Sequence, residues 1–163
     1  MSWHNWSEHV RCNPRRQIDV ASEGEVLAAI AAAVRDKTLL RQRGTGHSCS
    51  PLCATDDVLM SFGGLKGISN IDPVAQTARI RPGTPISEIG EPLCQAGLAL
   101  ENQGDIDLQT IAGAIATGTH GTGLGLGSIS SKVLGLRIAL ASGDIVSLSR
   151  ASEPRMFDAA TVS

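Results

Sequence analysis

Aromatic residues are scarce: two Phe, two Trp and no Tyr in 163 residues. A core cannot rest on stacked rings here, so it must be aliphatic, built from Ile, Leu, Val and Ala. An excess of basic charge is missing as well. The formal net charge is −2 and the Lys and Arg residues are scattered, which excludes the basic face that nucleic acid requires. No apolar run approaches the roughly 20 residues that span a bilayer. The start, Met1-Ser2-Trp3-His4-Asn5-Trp6-Ser7, is polar and has no apolar signal core. A cytoplasmic chain without a membrane segment is the expectation. Cysteine is sparse, at positions 12, 49, 53 and 94. That spacing suggests no disulfide scaffold. Although Cys49 and Cys53 lie close to His47, paired C-x-x-C spacing is missing, so no metal site is expected.

Two nucleotide-binding signatures are absent. Gly44-x-Gly46 would need glycine at 49, which is Cys49; Gly121-x-Gly123 would need it at 126, which is Leu126; Gly123-x-Gly125 would need it at 128, which is Ser128. No G-x-G-x-x-G exists, which disfavours a Rossmann dinucleotide site. The P-loop pattern G-x-x-x-x-G-K-[ST] is also missing.

Glycine, in contrast, is over-supplied: 18 residues, about 11% against an average of roughly 7%. The glycines cluster at 44–46, 63–67 and 113–127, so they serve positions and not low complexity. The length suits one domain with a real core.

Taken in order, Trp3 and Trp6 read as a cap over the domain edge, and His4 and His9 as surface residues. Ile18-Asp19-Val20 reads as a short entry strand. Ser22 and Glu25 form a capping box ahead of an apolar run from Val26 to Val34, which predicts a helix. Residues 39–43 predict a strand that delivers the chain into a Gly44–Ser48 turn; helix, strand and glycine turn together suggest α/β organisation. Residues 58–62 predict a buried strand closed by Gly63-Gly64, and 68–71 with 77–81 a hairpin around Asp72-Pro73. A second helix is expected with Thr84 as N-cap, Pro85 at its first position, Gly97 as stop and Ile86, Ile89 and Leu93 as its apolar stripe. Residues 101–105 are a polar loop, and 111–116 a short buried helix of small residues. From Val133 the chain alternates, with Leu134, Leu136, Ile138 and Leu140 on one face, then turns at Ser142-Gly143-Asp144 into a second strand, 145–148.

The glycine segments carry the chemistry. Glycines let backbone amides approach a pyrophosphate, and Ser and Thr hydroxyls donate further bonds. His47 offers an imidazole, whose neutral form has a free nitrogen lone pair, the residue type that a covalent cofactor link needs. A plain turn histidine bonding its neighbours is the structural alternative.

Three stretches, Arg43-Gly44-Thr45-Gly46-His47-Ser48, Leu100-Glu101-Asn102-Gln103-Gly104-Asp105 and residues 111–123 (Ile-Ala-Gly-Ala-Ile-Ala-Thr-Gly-Thr-His-Gly-Thr-Gly), together resemble the FAD-binding (PCMH-type) domain of the vanillyl-alcohol-oxidase-type flavoenzymes. Within that superfamily the chain is most similar to the aldonolactone oxidases and dehydrogenases (gulonolactone and arabinonolactone enzymes) and their alditol-oxidase relatives. The resemblance runs from about Trp6 to Ser163. It implies an α+β fold of two mixed α/β subdomains with FAD between them, and oxidation of a CH–OH group of a sugar lactone or alditol in the complete enzyme. It assigns Arg43, Gly44, Thr45, Gly46, His47 and Ser48 to the pyrophosphate turn, with His47 at the position that many members bond covalently to the flavin. It assigns Asp105, Thr110, Gly113, Thr117, Gly118, Thr119 and His120 to further flavin contacts; His120 reads equally as a buried structural histidine. Cys49 stands where the family commonly has a bulky residue, and Arg43 where a small or apolar one is usual.

Residues 157–163 resemble the approach to the family's last flavin-contacting strand. That strand and the substrate domain are expected to lie outside these 163 residues, so no catalytic residue is assigned. Two rivals stay open: a truncated, non-catalytic fragment or interaction module that binds no flavin, and a flavin- or nucleotide-binding subunit completed by a separate C-terminal domain or chain.

Overall fold

The computed structural model describes residues 2–161. They divide into two compact units: one runs to Leu65 and includes Arg137–Ser147, and the other comprises Lys66–Leu136 and the segment from Leu148 on.

In the first unit, β1 (Trp3–His4) and β2 (Arg11–Cys12) pair as a short antiparallel ribbon. Its connection is built on buried Asn5, whose N–H donates to the Val10 carbonyl at 3.0 Å and whose Oδ1 accepts from the Val10 N–H at 3.1 Å. β3 (Arg16–Asp19) leads into α1 (Glu23–Asp36), followed by β4 (Leu40–Arg43) and β5 (Val58–Ser61). Half of the capping box forms as expected: Ser22 Oγ accepts from the Glu25 N–H at 3.2 Å, while Glu25 Oε2 accepts at 2.8 Å from the Ala21 N–H, one residue before the N-cap, and not from Ser22. Two donors without intrahelical partners are satisfied in this way.

β3, β5 and β4 form a parallel sheet in that order, with Arg16 and Leu40 both paired to Val58 and Asp19 and Arg43 both paired to Ser61. Parallel neighbours need a crossover connection, and α1 is part of it. Central β5 buries Leu59, Met60 and Ser61. Val20, Val26 and Met60 anchor the core, packed by Ile18, Ile30, Leu40, Phe62 and Ala139. Because all three strands run the same way, their carboxyl ends share one edge, and the Gly44 turn leaves β4 there. Ligands of open α/β sheets bind outside that edge.

In the second unit, β6 (Ile68–Asp72) and β7 (Thr77–Ile80) form the expected antiparallel hairpin, its turn held by Asp72 Oδ1, which accepts from the N–H groups of Val74 and Ala75. The expected second helix differs at its start. A 3-10 turn, Ile86–Glu88, precedes α2 (Gly90–Gln95), and Thr84 is not its N-cap. Thr84 Oγ1 instead accepts from the Gly67 N–H at 2.9 Å and donates to the Arg81 carbonyl at 2.8 Å. The buried hydroxyl is engaged by the residue just before β6 and the one just after β7, and not by a helix N–H. The stripe itself holds: Ile86, Ile89 and Leu93 are buried with Ile111, Ala114 and Ile129. This cluster contains no aromatic side chain, as the composition requires.

α3 (Ile111–Ala116) is the short helix of small residues, followed by a 3-10 turn at Ile129–Lys132. β8 (Gly135–Ala139) pairs with β9 (Ile145–Ser149) across a turn in which Gly143 has φ +90° and the Leu140 N–H donates to the Asp144 carbonyl at 2.9 Å. The strand starts one residue after Leu134, which is exposed and not on the inner face as expected. α4 (Pro154–Ala160) buries Phe157 and places the segment after 153 in a helix. Val162 and Ser163, at the expected approach to a further strand, lie outside the described residues.

Candidate functional site

The Gly44–Ser48 turn is held from behind by the N-terminal ribbon. Three successive carbonyls are occupied: Gly46 O accepts from the Trp6 N–H at 3.0 Å, His47 O from Trp6 Nε1 at 3.1 Å and Ser48 O from Asn5 Nδ2 at 2.9 Å. There is no cis peptide among the described residues, so each carbonyl is opposed by the following N–H. The N–H groups of His47, Ser48 and Cys49 therefore turn away from Asn5 and Trp6. Among the described residues none of the three donates to a protein group.

Gly46 shows why glycine is needed. Its φ is +79°, and a Cβ there would meet the Trp3 ring at 3.2 Å and Asn5 Cα at 3.4 Å. The two tryptophans are thus not a cap over a domain edge. Trp3 packs behind Gly46, and Trp6 stacks on the His47 ring, centroids 6.0 Å apart at 24°. His4 and His9 are exposed, as expected.

His47 carries the one feature that its bonded neighbours do not explain. Nδ1 is buried and has no hydrogen-bond partner among the described residues. Buried polar atoms are nearly always satisfied, and an exception calls for a partner outside the protein or a chemical role. The alternative of a turn histidine bonding its neighbours does not describe this ring. Arg43, half-buried at the end of β4, donates from Nη1 to the Gly44 carbonyl at 3.2 Å and brings a cation to the turn. Thr45 is exposed, and Ser48 Oγ accepts from the Ser50 N–H. Nearby, burial pushes the Cys53 thiol up, partly opposed by the Arg43 charge. All four cysteines are free, and no His, Cys, Asp or Glu cluster among the described residues could hold a metal.

The second segment belongs to the other unit. Thr110, Gly113 and Thr117 recur at helical spacing on one face of α3, where Thr117 Oγ1 donates to the Gly113 carbonyl at 2.8 Å. The first amides of α3 are already used: Ile111 donates to Thr84 O and Ala112 to Pro82 O. Gly118, at φ +64°, ends the helix, its N–H donating to Ile115 O while the Thr119 N–H donates to Ala114 O. This is a Schellman-type stop.

The polar loop at 101–105 packs directly on the glycine-rich residues 120–127. A Cβ on Gly104 would lie 3.3 Å from the His120 carbonyl, and a Cβ on Gly121 would collide with Asn102 Oδ1 and the Gln103 carbonyl. Asn102 Nδ2 ties the loop to Gly127 O at 3.1 Å, and Thr119 Oγ1 donates to Gln109 Oε1 at 3.2 Å. Asp105 is exposed and makes no ion pair or side-chain hydrogen bond among the described residues. His120 is exposed, its Nδ1 2.8 Å from its neighbour's carbonyl at Gly121, and so is not a buried structural histidine. Asn5, Trp6, Asn102 and Gln109 are the supporting residues that sequence reasoning missed. The signal for the first two was the clustering of both tryptophans around one asparagine in a chain poor in rings.

A family model described as FAD binding domain matches residues 14–149. The chain belongs to the FAD binding domain family. It is 35% identical over 151 residues to the L-gulono-1,4-lactone dehydrogenase of Mycobacterium tuberculosis, covering 93% of this chain and 35% of that protein. Against the D-arabinono-1,4-lactone oxidase of Kluyveromyces lactis it is 32% identical, covering 98% and 31%. Among solved structures, the xylooligosaccharide oxidase of Myceliophthora thermophila aligns with a TM-score of 0.84 at 17% identity, over 98% of this chain and 34% of that one. That last likeness speaks for the fold alone, and it is the expected PCMH-type FAD-binding fold. The chain spans about a third of the length of the curated relatives it matches. It is an FAD-binding domain homologous to the aldonolactone oxidases and dehydrogenases, and its cofactor is FAD. No helix among the described residues is long and apolar enough to cross a membrane.

Proposed function

We propose that the Arg43–Ser48 turn holds the FAD pyrophosphate and that the whole protein oxidises a CH–OH carbon of an aldonolactone or alditol. The observation that carries this is the trio of N–H groups at His47, Ser48 and Cys49, directed away from Asn5 and Trp6 by their bonded carbonyls and unused by the protein. Such amides form an anion-binding concavity without needing net positive charge. Arg43 adds one cation, and Gly46 lets the backbone come close. Thr110, Gly113, Thr117, Gly118, Thr119, His120 and Asp105 are read as further cofactor contacts on the family resemblance of their segments alone.

The residues fit the group on a second count. The buried, unpartnered His47 Nδ1 is the kind of polar atom that a bound cofactor would satisfy. His47 is also the residue for a covalent attachment. When bound, FAD supplies the two-electron acceptor that no side chain can provide. The sugar lactone specificity extends the same reading from the names of the relatives; cytoplasmic placement belongs to the proposal without support from them, and a complementing domain or chain would supply the groups that hold the substrate.

The test is a titration of the purified chain with FAD, NAD and NADP while thermal unfolding is followed. FAD should raise the melting temperature and the other two should not, because ligand bound to the folded state stabilises it by mass action. A shift with NAD and none with FAD overturns the reading.

A further inference from the structure

Trp6 is 58% exposed, although it is one of only two tryptophans in the chain. Burial therefore does not account for its position. Its contacts do: the main-chain N–H bonds Gly46 O, the indole N–H bonds His47 O, and the ring stacks on the His47 imidazole. The same residue thus holds two adjacent peptide planes and the plane of the side chain between them. Asn5, fully buried beneath it, continues the series to Ser48 O.

We infer that Trp6 is a positioning residue for His47, holding the imidazole in one orientation and the 47–49 amides outward. The argument is one of degrees of freedom. A glycine-rich turn has little intrinsic preference for one conformation, and ordering each of its residues costs conformational entropy. Gly44, Thr45 and Gly46 precede His47 with no side chain that packs it, and the apolar cores named for this unit contain none of residues 44–48. The stack and the indole bond supply the missing order from outside the turn. Substituting Trp6 removes only the indole bond and the stack, since any residue but proline keeps the main-chain N–H.

The inference rests on the FAD reading for its binding arm but not for its structural arm. In the full chain, Trp6→Phe keeps a ring and loses the indole donor, and should weaken FAD about fivefold, the effect of one hydrogen bond. Trp6→Ala loses both and should weaken it about thirtyfold. Both variants should melt close to wild type, because the side chain is mostly in solvent. The second arm uses flavin-free protein. The ring-nitrogen NMR resonances of His47 should form one sharp set in wild type and should shift or broaden in Trp6→Ala, while those of His4, His9 and His120 stay in place. Wild type that binds no FAD overturns the flavin reading, and the NMR arm then decides the inference. Unmoved His47 resonances in Trp6→Ala overturn it. So does a loss of affinity matched by a loss of melting temperature, with Phe no better than Ala at position 6.

Discussion

Gly46 lies against Trp3 more closely than a residue with a side chain fits without a shift: a Cβ on Gly46 would sit 3.2 Å from the Trp3 ring, and the backbone there is at φ +79°. The close approach brings the turn down onto the N-terminal ribbon, and the left-handed conformation brings the next carbonyls within reach of Trp6 and Asn5.

Gly46→Ala should therefore lose about 1–2 kcal/mol from the left-handed strain alone, and more from displacing Trp3. FAD affinity should fall at least about tenfold, since a shift of 1.4 kcal/mol already does this. Chemical denaturation and flavin titration of the same preparation check both numbers. Unchanged affinity would mean that the 47–49 amides do not hold the cofactor.

The covalent bond is tested separately. If His47 carries FAD, wild-type protein precipitated with acid retains flavin fluorescence on the chain, and His47→Ala does not. Release of all flavin to the supernatant reduces His47 to a non-covalent contact. Retention in His47→Ala places the bond on another residue.

Core substitutions should separate sharply from loop ones. Ile89 is 0% exposed in the aliphatic cluster of the second unit, and Leu124 is fully exposed in the glycine loop. Ile89→Ala should cost about 2–5 kcal/mol, from lost burial and the cavity left behind. Leu124→Ala should stay within about 0.5 kcal/mol of wild type. Urea unfolding midpoints at constant slope give the comparison.

Cys53 should report on the turn's surroundings through pH. Burial raises its pKa above the ordinary 9.0, with the charge of Arg43 opposing. A folded-state pKa raised above the unfolded one contributes stability that is complete below the unfolded value and is lost as pH rises through the folded value. Stability should thus decline on the alkaline side, and Cys53→Ala should flatten that decline. In alkylation mapped by mass spectrometry, exposed Cys49 and Cys94 should react before half-buried Cys53. Equal rates at pH 8 for all three would contradict its environment.

Much of this protein was legible in one dimension. Ser22 caps α1 through the Glu25 N–H because that bond involves only residues three apart, and the Asp72 turn, the Ile86–Ile89–Leu93 stripe and the Gly143 hairpin are equally local. The scarcity of rings required an aliphatic core, and the glycine segments with His47 pointed to FAD through their resemblance to a flavoenzyme family. Thr84 went the other way, since its hydroxyl was claimed by Gly67, 17 residues earlier, and no local pattern reveals such competition. The Asn5 and Trp6 bonds to the turn span 43 and 41 residues. Nothing in the spacing of either segment encodes that meeting. It arises because β1 and β2 return the chain to the edge where β4 ends, so the pattern of residues determined which groups could bind a phosphate, and only the tertiary structure decided which way their amides face.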